Sequence, residues 1–175
     1  MITAGFLQGG LFHFLMNTWV LFDLGPVVEE AYGLSRMVVI YFVGTVAGFY
    51  LSAMWSPAVS IGASAGIFAL IGALIAWGAQ HRSMMGQMVK SHYSRWAIYG
   101  LLMGLLPGFN IDNAAHLGGL GAGLLIAKAA GTHGYSITRE RIWQFLCYLC
   151  VILTAFAFFE MFMAFQQLAL PVQKL

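Results

Sequence analysis

The chain has 175 residues, of which 61% are hydrophobic and only 8% are charged, against about 25% charged in an ordinary soluble domain. So few polar residues cannot coat a water-soluble globule, and such an apolar composition also excludes a disordered chain. The net charge of +2 gives no reason to expect nucleic acid as a partner. A polytopic membrane protein remains, and its spans should be helices because lipid cannot satisfy open backbone groups.

Six apolar segments follow one another along the chain and predict an all-α transmembrane bundle of about six spans, since about 20 apolar residues cross a bilayer. They cover residues 4–24, 37–55, 64–80, 94–107, 114–130 and 142–168. Gly/Pro or polar clusters separate them, as expected for turns. The fourth segment is short for a hydrocarbon core of about 30 Å.

Basic residues predict the orientation of these spans. If the first span runs inwards, seven of the eight Lys and Arg residues lie at cytoplasmic ends, as the positive-inside rule requires. The loops at 56–63 and 108–113 would then lie on the external face. The polar residues that lie within or next to the predicted spans, where they are unusual, are near this external face.

Two of these polar residues, His13 and Asn17, are four positions apart in the first span. Their side chains therefore share one helical face. Polar groups within a span are costly and indicate function by default. The alternative is a pair that hydrogen-bonds to a neighbouring helix and holds the bundle together.

Ser64 lies in the segment I-G-A-S-A-G, where the third apolar helix is predicted to begin. The segment matches G-x-S-x-G, but the strand that precedes a hydrolase nucleophile elbow is missing. A serine at a helix start still has free backbone N–H groups and the positive end of the helix dipole beside it, which suits a developing oxyanion. The alternative is a helix-capping serine.

His116 in the fifth span supplies a base that could activate this serine. Gly119 and Gly123 follow it on the same helical face. The third span offers a matching stripe of small residues, which allows two helices to approach closely; these residues are Ala65, Ala69 and Ala73. Close packing of the two spans would bring His116 towards Ser64.

Other readings of these residues stay open from spacing alone. His13, His116 and Asp112 could converge on a metal, although no paired-ligand spacing such as H-E-x-x-H is present. A small transporter would need polar residues that continue to the inner side, where the spans are apolar. Asp112 could cap the fifth helix or orient His116. We expect neither a metal nor another cofactor.

Taken together, the motifs resemble those of rhomboid intramembrane serine proteases. The resemblance extends from about residue 3 to residue 128. It is carried by four motifs in order, which are His13-x-x-x-Asn17, Glu29-x-x-x-Gly33, Gly62-Ala63-Ser64 and Ala115-His116-x-x-Gly119-x-x-x-Gly123. The combination is specific, although each motif alone is weak.

The resemblance implies a Ser-His dyad, with Ser64 as nucleophile and His116 as general base. His13 and Asn17 would help the Ser64 backbone N–H to stabilise the oxyanion, and Phe68 would place its ring against the base. The implied activity is cleavage of single-span membrane proteins in or beside their transmembrane helix. The alternative is an inactive rhomboid-like protein that binds transmembrane clients, but the presence of both Ser64 and His116 favours the protease.

Relative to the family pattern, residues 1–130 resemble the protease core without its usual first span. Residues 131–175 would add a cytoplasmic loop and a further transmembrane helix. Gln8 stands where many members have a histidine, and Ala65 replaces a common glycine. The six-span architecture favours a bacterial cytoplasmic membrane, with the active site open to the external face.

Overall fold

A computed structural model of the chain describes residues 1–55, 59–108, 111–131, 134 and 136–169. Throughout these residues the regular structure is helical, which confirms the predicted all-α class. A short 3-10 turn (Thr3–Phe6) precedes six α-helices. They are α1 (Leu11–Tyr32), α2 (Leu34–Trp55), α3 (Ser64–Gln80), α4 (Met84–Met103), α5 (Asn113–Ala130) and α6 (Ile137–Ala169).

The predicted bounds of the first span, 4–24, are wrong. Helix α1 starts later and continues through Pro26, so most of the expected loop at 25–36 is helical. Burial of one α1 face against the core outweighs the loop preference of the Gly-Pro pair. Gly33 ends the helix with φ +78°, a conformation that favours glycine, and donates its N–H to the Glu29 carbonyl at 2.7 Å.

The fourth helix also differs from its prediction of 94–107. It begins ten residues earlier, after Ser83, whose hydroxyl accepts the Gly86 N–H at 3.1 Å. That N-cap extends helical structure into the segment expected to be a loop. The third segment begins and ends as predicted, and the second, fifth and sixth agree to within a few residues.

Within the part of the chain that the structure describes, three helices are long and apolar enough to cross a membrane by themselves, namely α1, α2 and α6 over Ile137–Leu168. Helix α3 is apolar but has 17 residues. It is surrounded by other helices, and most of its side chains are buried. The chain is therefore a membrane protein with a protein-enclosed central helix.

Helices α2, α3 and α5 pack at very short distances through small residues. A side chain added at Gly119 would collide with the Ala65 carbonyl oxygen, and one at Gly123 would collide with that of Ala69. On α2, a Cβ at Gly48 would lie 2.6 Å from the Ala115 carbonyl oxygen. Close backbone approach of this kind is typical of helix association in membranes.

Candidate active site

Ser64 is the first residue of α3 and is partly buried. The N-cap position belongs to Ala63, and no side chain caps the helix. The alternative of a capping serine is therefore wrong. Gly62, two residues earlier, has φ +129° and donates its N–H to the Ala4 carbonyl at 3.0 Å. This hydrogen bond ties the loop before Ser64 to the N-terminal 3-10 turn.

His116 lies on the first turn of α5 and is 5% exposed. Its ring stacks on Phe68, with centroids 4.0 Å apart and planes 13° apart. Phe68 follows Ser64 by one helical turn, so the stack sets the imidazole beside the start of α3. Within the described part of the chain, His116 Nδ1 has no hydrogen-bond partner. An aromatic face, rather than a carboxylate, orients this ring.

Helix packing brings Ser64 and His116 to the same end of the bundle. Gly119, one turn after His116, contacts the backbone of Ala65, which directly follows Ser64. The hydrogen bonds found among the described residues do not include one between Ser64 and His116. Catalytic hydrogen bonds are often long without substrate and tighten when it binds.

His13 and Asn17 of α1 lie over the loop that leads to Ser64. A Cβ added at Gly62 would be 2.6 Å from His13 Cε1, 2.9 Å from His13 Nε2 and 3.7 Å from Asn17 Nδ2. His13 Nδ1 accepts the Gly9 N–H at 3.1 Å, so the neutral ring carries its proton on Nε2. That nitrogen, which can donate, therefore faces the loop.

Asn17 donates through Nδ2 to Gln8 Oε1 at 2.8 Å. The hydrogen bonds of both Asn17 and His13 thus lead to the segment before α1, rather than to another helix as the structural alternative required. Gln8, which the sequence showed only as a departure from the family pattern, is therefore a member of the site.

Asp112 is the N-cap of α5, and its carboxylate accepts the Ala115 N–H at 2.9 Å. The Ser52 hydroxyl donates to the same carboxylate. Burial raises the pKa of Asp112, but these hydrogen bonds, together with one from Ser60, outweigh burial and leave the pKa below its ordinary value. Of the two roles considered for Asp112, the structure shows the cap.

Sequence reasoning missed one neighbour of the catalytic candidates, Gly100 of α4. A Cβ at Gly100 would lie 2.6 Å from Phe68 Cζ, so this glycine leaves room for the ring that stacks on His116. A glycine in the middle of a predicted span was the available signal. Nearby, Asn113 Nδ2 donates to the Leu101 carbonyl at 3.1 Å and fastens α5 to α4.

These groups could perform acyl transfer. A hydroxyl at a helix start lies near a buried imidazole, and a second imidazole and an amide lie over the preceding loop. Among the described residues, no three His, Cys, Asp or Glu side chains lie close enough to hold a metal ion. Hydrolysis by a nucleophilic serine fits this donor set better than metal chemistry does.

Comparison with known proteins places the chain in a family. The model of the rhomboid domain matches residues 1–133. The rhomboid protease GluP of Bacillus subtilis (strain 168) is 34% identical over 131 residues, which cover 75% of this chain and 26% of GluP. Rhomboid-like protein 4 of Arabidopsis thaliana is 30% identical over 129 residues, covering 72% of this chain and 32% of the relative.

A further Arabidopsis relative is named inactive rhomboid-like protein 8. It is 31% identical over 121 residues, covering 67% of this chain and 34% of the relative. The chain thus spans about a quarter to a third of the length of these three proteins.

Proposed function

Because this chain belongs to the rhomboid family, we propose that it is an intramembrane serine endopeptidase. Its substrates are single-span membrane proteins, which it cleaves in or beside the transmembrane segment. Ser64 is the nucleophile and His116 is the general base of a dyad.

The stack of Phe68 on His116 carries this proposal, because it holds a buried imidazole against the side chain that follows Ser64 by one helical turn. In the first step, the Ser64 hydroxyl gives its proton to His116 while Oγ bonds to the scissile carbonyl carbon. The peptide C–N bond then breaks, and His116 returns the proton to the leaving amine. Water, activated by the same imidazole, hydrolyses the acyl-enzyme and regenerates the serine.

The oxyanion formed in these steps needs hydrogen-bond donors. The first N–H groups of α3, including that of Ser64, have no acceptor within the helix. His13 contributes the Nε2–H that faces Gly62, and Asn17 contributes its amide. Because Asn17 Nδ2 donates to Gln8 in the free protein, we expect this amide to turn towards the substrate only when the oxyanion forms.

The membrane orientation follows from the distribution of charge. Six of the eight basic residues lie in the half of the bundle away from Ser64, while Arg95 lies inside α4, and this bias favours an external position for the Ser64 end of the bundle. The proposed location is a bacterial cytoplasmic membrane. A substrate helix would reach the site from the bilayer, and water would reach it from the external side.

The test is labelling with a fluorophosphonate, which reacts covalently with activated serines. The chain in detergent should react, and Ser64→Ala and His116→Ala should each abolish the reaction. Ser91→Ala is the matched control, because Ser91 is an exposed serine of α4 and is not part of the proposed site; this variant should still react. Labelling that persists in Ser64→Ala would refute the assignment.

The inactive relative favours a second candidate, a rhomboid-like protein that binds transmembrane clients without cleaving them. Such a protein would bind single-span helices yet fail to react with the fluorophosphonate while fully folded. The same experiment, combined with a measurement of helicity and thermal unfolding, therefore separates the two candidates.

A further inference from the structure

Helix α6 lies outside the segment that matches the rhomboid domain, which ends at residue 133. Most of its surface is exposed, and among the described residues its main contacts are with α2 and the 3-10 turn Thr3–Phe6. Two of these contacts lie far apart along the helix, one of Glu140 with α2 and one of Phe158 with the 3-10 turn.

At the end away from Ser64, α6 is held by a charged pair. Arg36 of α2 is 2% exposed, and its guanidinium makes two hydrogen bonds to the Glu140 carboxylate, of 2.7 and 2.9 Å. The guanidinium carbon also lies 5.4 Å from the centroid of the Trp143 ring. A paired and largely buried guanidinium fixes the position of the α6 start on α2.

At the Ser64 end, α6 holds the 3-10 turn. Phe158 meets Phe6 edge to face, with ring centroids 5.5 Å apart and planes at 66°. This geometry is favourable for two aromatic rings. Phe158 is 21 residues beyond the start of α6, about 31 Å along the helix axis, so α6 reaches across the whole bundle to make this contact.

The 3-10 turn in turn contacts the loop before the serine. The Ala4 carbonyl accepts the Gly62 N–H at 3.0 Å. Ala4 also packs in a small cluster with Phe49, Ala65 and Ala115. Gly62 is the residue over which the His13 ring lies. Phe158 is thus linked to the loop before Ser64 through two contacts, its own with the 3-10 turn and that of the turn with Gly62.

We infer that α6 is a positioning element for the active site, acting through Phe158, Phe6 and the hydrogen bond from Gly62 to Ala4. The inference rests on the proposed function, because it assigns α6 a role in the reactivity of Ser64. Phe158 contacts no reacting atom. It acts by packing against the 3-10 turn Thr3–Phe6, which in turn is hydrogen-bonded to the loop before Ser64. The Arg36–Glu140 pair fixes the start of α6 on α2. It thereby sets the position of Phe158 along the bundle axis, next to Phe6.

The first measurement is hydrogen exchange of the Gly62 amide, read by NMR on the 175-residue chain labelled with ¹⁵N-glycine in detergent. Phe158→Ala should accelerate this exchange by up to about tenfold, the factor that corresponds to the loss of one aromatic pair. Phe159→Ala is the matched control, because Phe159 is the adjacent phenylalanine of α6 and is 57% exposed. It should leave the Gly62 exchange rate unchanged.

The second measurement is the rate of fluorophosphonate labelling at Ser64, taken at equal folded fraction. Phe158→Ala should lower it about tenfold, within the 10²-fold that a misplacement of about 1 Å can cost. Phe158→Tyr, which keeps the ring, should restore both exchange and labelling. Phe6→Ala combined with Phe158→Ala should be no worse than either change alone, since both remove the same contact.

Each outcome has a defined meaning. Equal Gly62 exchange in Phe158→Ala and Phe159→Ala would overturn the inference. Faster exchange with an unchanged labelling rate would also overturn it, because the loop would then be held without any effect on Ser64. If the wild-type chain does not react with the probe while its Gly62 exchange responds as described, the proposed function fails and the mechanical link from α6 to the loop is supported.

Discussion

Replacement of Gly100 by alanine tests whether the stack of Phe68 on His116 sets the position of the base. The added methyl carbon would lie 2.6 Å from Phe68 Cζ, which is 0.8 Å less than the 3.4 Å at which ordinary contact begins. The ring cannot simply retreat, because its neighbour His116 is already stacked at a centroid distance of 4.0 Å. A comparable displacement must therefore pass to the imidazole, or the stack must break.

A displacement of this size should be visible in the reaction rate. Misplacement of a catalytic group by about 1 Å can cost 10²-fold, so we expect Gly100→Ala to lower the fluorophosphonate labelling rate by about 10- to 100-fold. Overpacking of a filled site should also lower the free energy of unfolding by about 1–3 kcal/mol. The labelling rate should therefore be measured at a temperature where both proteins are fully folded.

Gly121→Ala is the matched control for this experiment. Gly121 is on the same helix as His116, and a Cβ there would meet no atom within 4 Å. It should keep the wild-type labelling rate. Adding Phe68→Leu to Gly100→Ala should relieve the crowding and recover part of the stability, but not the rate. A folded Gly100→Ala protein that labels as fast as Gly121→Ala would refute the role given to the stack.

Three further changes have defined outcomes. Asn17→Ala should lower the cleavage rate of a single-span substrate by about 10²–10³ if its amide serves the oxyanion; an unchanged kcat would exclude that role. The pKa of Asp112 is lowered on folding, so its carboxylate stabilises the chain above pH of about 4 and that contribution is lost as the pH falls further. Between pH 7 and pH 3 the melting temperature should thus fall more for the wild type than for Asp112→Asn, and parallel curves would contradict this. Gly123→Ala would collide with the Ala69 carbonyl and should lower the free energy of unfolding by about 1–3 kcal/mol in denaturant titration, against no loss for Gly121→Ala.

The helices are predicted best where a buried apolar segment is bounded by residues that favour loops. The segment 64–80 was predicted residue for residue, because a glycine-rich loop precedes it and His81 and Arg82 follow it. The predicted end of the first span was wrong because the Gly25-Pro26 pair is typical of a turn. In the folded chain, Tyr32 donates its hydroxyl to the Ala73 carbonyl at 3.0 Å, and such tertiary contacts keep the helix intact beyond the proline.

Helical periodicity in the sequence predicts which helix faces pack together at the site, but not the remaining contacts. The small-residue stripes indicated that α5 packs on α3, and the structure places Gly119 against Ala65. Periodicity describes the faces of one helix and does not say which face of a third helix approaches. It therefore could not reveal that Gly100 lies behind Phe68, nor that Gln8 receives the hydrogen bond of Asn17.

The enclosure of α3 by other helices has a consequence for the depth of the nucleophile. With 17 residues, α3 is about 26 Å long, shorter than a hydrocarbon core of about 30 Å. Lipid does not stretch or tilt a helix that it does not touch, so hydrophobic mismatch acts on the outer helices alone. In bilayers of different thickness, α1 and α6 can adjust their tilt, while the small-residue contacts among α2, α3 and α5 keep Ser64 and His116 at a constant depth relative to each other. The geometry of the candidate dyad is thereby insulated from the lipid composition of the membrane around it.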